Sequence, residues 1–126
     1  MKLILSIAAG GALGALGRHY VMTLVGHILG TAFPYGTVVV NIVGSFILGM
    51  LIETMALAWS PPPELRALIV LGGLGAFTTF STFSMDTILL FERGQILQAA
   101  TYVAVSVVLA VLAFAAGMYL LRHILT

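Results

Sequence analysis

Cysteine is absent from this chain, and charge is nearly so. Without a thiol there is no disulfide framework and no thiolate metal site. Five Lys or Arg and four Asp or Glu stand among 126 residues, a charged share of 7%, where an ordinary soluble domain carries roughly a quarter. So few charges cannot cover the surface of a small soluble fold. Hydrophobic residues make up 61% of the chain and mean hydropathy is +1.18, a composition that belongs in lipid. A net charge of +1 says nothing about nucleic acid, and there is no basic patch to bind it. His19, His27 and His123 fall at neither metal-ligand nor catalytic-triad spacing, so nothing points to an enzyme.

The charges that are present mark edges. Lys2, Glu53, Glu64, Arg66, Glu92, Arg93 and Arg122 sit at the margins of apolar runs, and only Arg18 and Asp86 depart from that pattern. A helix crossing roughly 30 Å of hydrocarbon needs about 20 residues. Four runs qualify, at about 3–29, 35–58, 63–92 and 95–123. Pro63 followed by Glu64 reads as a helix start, and Gly94 after Arg93 as a helix end. The connection at Gly94 is so short that spans three and four form an antiparallel hairpin. Residues 1–126 thus read as one all-α membrane domain with four transmembrane helices. Lys2 and the apolar residues 3–9 resemble a signal peptide. A retained first helix is favoured, because Gly10 and Gly14 form a GxxxG pair suited to close helix packing in lipid.

Four spans place both termini and the second loop on one side. That side carries Lys2, Arg66 and Arg122, and the other carries Arg93 and Arg18. Three cations against two is almost no positive-inside bias. A chain so balanced can insert both ways, and opposite orientations can pair as an antiparallel dimer resembling inverted-repeat transporters.

The third span is the unusual one. Its thirty residues would make a straight helix roughly 45 Å long, so a tilt or a break is needed. Within Leu71–Ser84 stand three glycines, three threonines, two serines and three phenylalanines, with no charge. Backbone at membrane depth departs from helix only where it is buried or faces water. The spacing predicts an unwound turn around 75–79 and a second helix starting near Thr79–Ser81, capped by a hydroxyl. A kinked helix whose hydroxyls bond back to their own carbonyls is the competing description.

Phe80 and Phe83, three apart, share a helix face. A phenyl ring has a negative face and a positive edge, so edge-on rings attract a small anion without trapping it. Composition alone leaves packing as the other reading. Asn41 sits in the apolar run 38–43, where an unpaired amide costs several kcal/mol, about the desolvation of a peptide group. With Thr37 it forms an i, i+4 stripe, as Tyr102 and Ser106 do on the fourth span. Either pair serves as interhelical glue or as a pathway. Arg18 lies well inside its span, and intramembrane ionisable groups are functional candidates. Spans one, two and four carry no central carboxylate. A small multidrug exporter, the competing class, would have one in its first helix.

Three motifs now stand in order: Gly11-x-x-Gly14-Ala15-x-x-Arg18, Gly36-Thr37-x-Val39-Val40-Asn41 with Gly44, and Thr78-Thr79-Phe80-Ser81-Thr82-Phe83-Ser84. In these, across essentially its whole length, the chain resembles the Fluc/CrcB family of bacterial fluoride ion channels. The resemblance implies four helices with a broken third, a dual-topology antiparallel homodimer in the bacterial inner membrane, and passive fluoride export through two pores. It implies a sodium ion at the dimer centre, coordinated by the backbone carbonyls of Gly75 and Thr78. Phe80 and Phe83 become the ring pair along the fluoride path, Asn41 a polar lining residue, and Tyr102 and Ser106 part of a hydroxyl track. Thr37, Thr79, Ser81, Thr82 and Ser84 complete the candidate pathway, with Arg18 as the vestibule cation. Two positions depart from the family pattern. Ala76 follows Gly75 where a second glycine is usual, and Ala110 stands where another serine is expected.

Fluoride chemistry accords with these parts. The ion is small and strongly hydrated, so a pore must replace its water with donors and ring edges while binding weakly enough for release. Hydrogen fluoride enters from an acidic exterior and dissociates. A passive channel then drains the anion under a negative-inside potential.

Overall fold

The computed structural model describes residues 1–126 and is all-helical. Helix α1 spans Lys2–Leu29 and ends at Gly30, whose φ of +84° takes the chain out of the helix. Helix α2 spans Tyr35–Leu57. The third long segment is composite: α3 over Pro63–Arg66, a π-helical stretch over Ala67–Leu74, α4 over Gly75–Phe77, and α5 over Phe80–Glu92. Helix α6 spans Ile96–Leu125. Helix α2, the composite segment 63–92 and α6 are each long and apolar enough to cross a membrane. Helix α1 is as long, at 28 residues, but its glycines, Arg18 and the adjacent His19 dilute it.

Lipid-type packing explains how these helices meet. Without a hydrophobic driving force between helices, close backbone approach through small residues takes over. Gly10 and Gly14 lay α1 directly on the backbone carbonyls of Leu68 and Gly73, and Gly72 returns the contact from the π-helical side. Helices α2 and α6 meet in the same way, Gly49 against the carbonyl of Phe114 and Gly117 against that of Phe46. A methyl group at Gly14 or Gly49 would run into those carbonyls. Gly14→Ala and Gly49→Ala are therefore expected to lose about 1–3 kcal/mol of stability through overpacking. Gly26→Ala, whose new Cβ would meet only Thr31 Cγ2 at 3.5 Å, should be neutral or gain helix propensity. Thermal unfolding in detergent checks all three.

The α5–α6 hairpin is closed by a Schellman motif. Gln95 N–H donates to Leu90 O at 3.0 Å, Gly94 N–H donates to Phe91 O at 3.0 Å, and Gly94 takes φ +78°. At the other end of α6, Arg122 pairs with Glu53 of α2 at 2.8 Å and lies over the Tyr119 ring at 5.0 Å. These charges, read from sequence as span margins, also fasten α2 to α6.

Only 17 of 126 residues are buried, and large apolar side chains such as Leu13, Leu16, Leu24, Leu97 and Val111 stand open on the outside. In water so much exposed apolar surface would drive aggregation; against acyl chains it matches its solvent.

Extended backbone between 75 and 79 is narrower than the sequence suggests. Gly75–Phe77 remain helical, and only Thr78 (φ −84°, ψ 156°) and Thr79 (φ −150°, ψ 123°) are extended. Gly72 serves the approach to α1, and a Cβ at Gly75 would meet nothing nearer than Val70 O at 3.6 Å. The departure from helix falls where a side chain from α2 captures the backbone.

Candidate functional site

That side chain is Asn41. Its Oδ1 accepts from Thr79 N–H at 2.8 Å and its Nδ2 donates to Thr79 O at 3.0 Å, so one amide satisfies both polar groups of an extended residue. Thr79 Oγ1 then caps α5, accepting from Thr82 N–H at 3.2 Å, with Ser81 Oγ 3.4 Å away. Thr78 Oγ1 bonds back to Leu74 O at 3.0 Å. The Thr79 hydroxyl thus caps the first turn of α5, and the Thr78 hydroxyl one residue before it bonds back to a carbonyl one turn earlier.

Beside this junction lies an open groove of about 290 Å³. Asn41, Ser45, Thr78, Thr79 and Ser106 supply its polar atoms, and the rings of Phe80 and Phe83 its aromatic wall. Val107, Ala110 and Val111 of α6 form the apolar remainder. No charged residue lines it. Ser106 Oγ is buried and has no hydrogen-bond partner, whereas Thr54, Ser84 and Thr87 each donate to the carbonyl one turn back. Ser106 thus brings an unpartnered hydroxyl to the wall of the groove. Ala110 lies on the same wall one turn further along, so the polar lining of α6 stops at Ser106.

The remaining candidates divide. Thr37 and Tyr102 do not line the groove; both donate to Oδ2 of Asp86, at 2.8 and 2.9 Å. Tyr102 is wholly buried, and its ring lies 5.2 Å from that of Phe83. Phe80 and Phe83 are 5.4 Å apart with planes inclined 43°, and Phe80 is 76% exposed. Ser84 bonds to Phe80 O on the exposed side of α5. Ser81 and Thr82 take part in the cap and stand outside the groove. Arg18 is half-buried on α1 and makes no ion pair, since the only one in the chain joins Glu53 and Arg122.

Two participants escaped the sequence reading. Ser45 is one turn beyond Asn41, so the stripe Thr37–Asn41 simply continues. Asp86 stood out as a charge away from the span margins, and it is three residues after Phe83, on the same helix face. Carboxylates were weighed in spans one, two and four, but not this one.

Long apolar helices and backbone-close crossings, with an uncharged polar groove beside Thr78 and Thr79, define a multi-pass membrane protein. The family model described as CrcB-like protein, Camphor Resistance (CrcB), matches residues 5–118. The chain is 52% identical over 122 residues to a fluoride-specific ion channel FluC of Rhodospirillum centenum, covering 97% of each chain. It is 47% identical to the FluC of Chelativorans sp., covering 97% of this chain and 98% of the relative. FluC 1 of Nitrobacter hamburgensis is 43% identical over 94% of each chain. The chain belongs to the CrcB family, a family of channels rather than enzymes.

Proposed function

We propose that this protein is a fluoride-selective channel that lets cytoplasmic fluoride leave passively down its electrochemical gradient. The observation that carries the reading is the unpartnered Ser106 hydroxyl, buried beside two phenyl rings in a groove without charge. A dehydrating fluoride ion needs donors, and Ser106 Oγ and the amide of Asn41 supply them. The edges of Phe80 and Phe83 add positive potential that does not hold the ion as a fixed cation would. Asp86 would repel an anion. Its Oδ2 is occupied by two hydroxyl donors, and the carboxylate lies outside the groove.

The assembly belongs to the same reading: two copies in opposite orientations in the bacterial inner membrane, with a sodium ion between them. The junction fits such an ion. Thr79 N–H, whose helical acceptor would be Gly75 O, goes to Asn41, and Thr82 N–H, whose acceptor would be Thr78 O, goes to Thr79 Oγ1. Both carbonyls are relieved of their helical donors at the interruption of the third span, and hard cations take oxygen ligands. No cluster of acidic or histidine side chains offers a competing metal site. Sodium there would supply positive charge between the two copies. The extra methyl of Ala76 is compatible with this geometry, since Gly75–Phe77 stay helical.

Purified protein in liposomes should release fluoride at least about tenfold faster than chloride, a discrimination of about 1.4 kcal/mol, with no proton requirement. Comparable chloride flux or obligatory proton coupling overturns the reading. Single cysteines placed near the termini of this cysteine-free chain should be labelled from both sides of the membrane, and labelling from one side only rejects the antiparallel assembly.

A further inference from the structure

The row of rings does not end at Phe83. Tyr102 continues it, and beyond Tyr102 stands Phe33, with centroids 5.6 Å apart and planes at 85°, an edge-to-face contact. Phe33 belongs to the short segment between α1 and α2. Gly30 with its positive φ precedes that segment, Pro34 closes it, and the Tyr35 ring lies 4.9 Å from Phe33. Phe33 packs on the buried cluster of Val38, Leu90, Ala99 and Tyr102. Two small cavities, about 100 and 140 Å³, flank the segment, and both reach Thr31, Pro34 and Asp86. The connecting segment therefore lies over the Asp86–Tyr102 pair, and the Tyr102 ring is held from two sides, by Phe83 towards the groove and by Phe33 away from it.

We infer that Phe33 is a positioning residue for the anion path, acting through Tyr102. This rests on the fluoride-channel reading. The aromatic wall works only while Phe83 keeps its ring angle, and Phe83 leans on Tyr102 at 5.2 Å. Tyr102 has one hydroxyl anchor, Asp86, and one ring anchor on its far side, Phe33. With the far anchor gone, the Tyr102 ring can tilt into the space released, taking the support of Phe83 with it. A side chain of equal bulk but no ring would fill the space without restoring the edge-to-face contact.

The test measures fluoride efflux from liposomes for Phe33→Leu, Phe33→Tyr and Tyr102→Leu, and for Phe33→Leu combined with Tyr102→Leu. Dimer fraction and unfolding midpoint are followed in detergent. Phe33→Leu should lower fluoride flux about fivefold to tenfold with parent-like assembly, while the unfolding midpoint falls only by the modest loss of one aromatic pair. Phe33→Tyr should restore it, and Phe33→Leu should add little to the loss caused by Tyr102→Leu. Parent-like flux in Phe33→Leu, an equal loss in Phe33→Tyr, or failure of Phe33→Leu to assemble overturns the positioning role. So do losses that multiply in the double variant. A parent protein that passes no fluoride overturns the channel reading itself, which a conducting parent keeps separate from the fate of Phe33.

Discussion

Isoleucine at Phe80 or Phe83 should cut fluoride flux about tenfold or more while the protein still folds and assembles. A swap that keeps most of the volume costs about 1.5 kcal/mol or less in repacking, so loss of the fold is not the expected cause. What disappears is the quadrupole. Phe80 makes the cleaner case, because its ring is 76% exposed on the single chain and supports little of the packing. Phe83 is held between Phe80 at 5.4 Å and Tyr102 at 5.2 Å, so its replacement also loosens a neighbour. Methionine at either position should retain more flux than isoleucine, since a polarizable thioether partly substitutes for a ring. Efflux from liposomes, read beside dimer fraction in detergent, checks the series. Folded isoleucine variants that conduct like the parent would identify both rings as packing residues.

Charge scarcity and apolar run length made the all-helical membrane class legible, because lipid allows so few alternatives to a helix. The Gly10–Gly14 pair announced a close crossing in the same way, although its partner carbonyls, Leu68 and Gly73, could not be named from sequence. What the sequence misplaced was the cause of the helix interruption. Glycines look like weak points, yet Gly75 keeps helical angles, and Thr78 and Thr79 carry the extended backbone. The reason is non-local: Asn41 lies 38 residues from Thr79, and no window along the third span contains it. The hydroxyls divided for a similar reason. Thr37 and Tyr102 look equivalent to Asn41 and Ser106 by i, i+4 spacing, but Asp86 on a third helix draws the first pair away and leaves Ser106 free. Spacing on one helix assigns a face, whereas the partner across it depends on how the helices are arranged around it.

Asn41→Ala should abolish measurable fluoride flux, a loss on the order of a hundredfold for a displaced site geometry. Removing the amide leaves the N–H and C=O of Thr79 without partners, and each unsatisfied buried group costs about 1–3 kcal/mol. The backbone has an escape. Thr79 N–H can return to the carbonyl of Gly75, and the helix then runs on through 78 and 79. Two residues passing from extended rise to helical rise shorten the segment by about 4 Å. That shift carries Phe80 and Phe83 off the groove and takes back the Gly75 carbonyl proposed for sodium. Asn41→Asp tests the bond by halves: a carboxylate still accepts from Thr79 N–H but, when ionised, cannot donate to Thr79 O. It also brings a negative charge to an uncharged anion path, so it should fail as alanine does while holding the extended turn better. Amide hydrogen exchange at Thr79 separates the two. Because the main cost of the alanine change is relieved by helix formation, its unfolding midpoint should fall less than its flux. An Asn41→Ala protein that keeps parent-like flux would show that the interruption stands without its amide clamp.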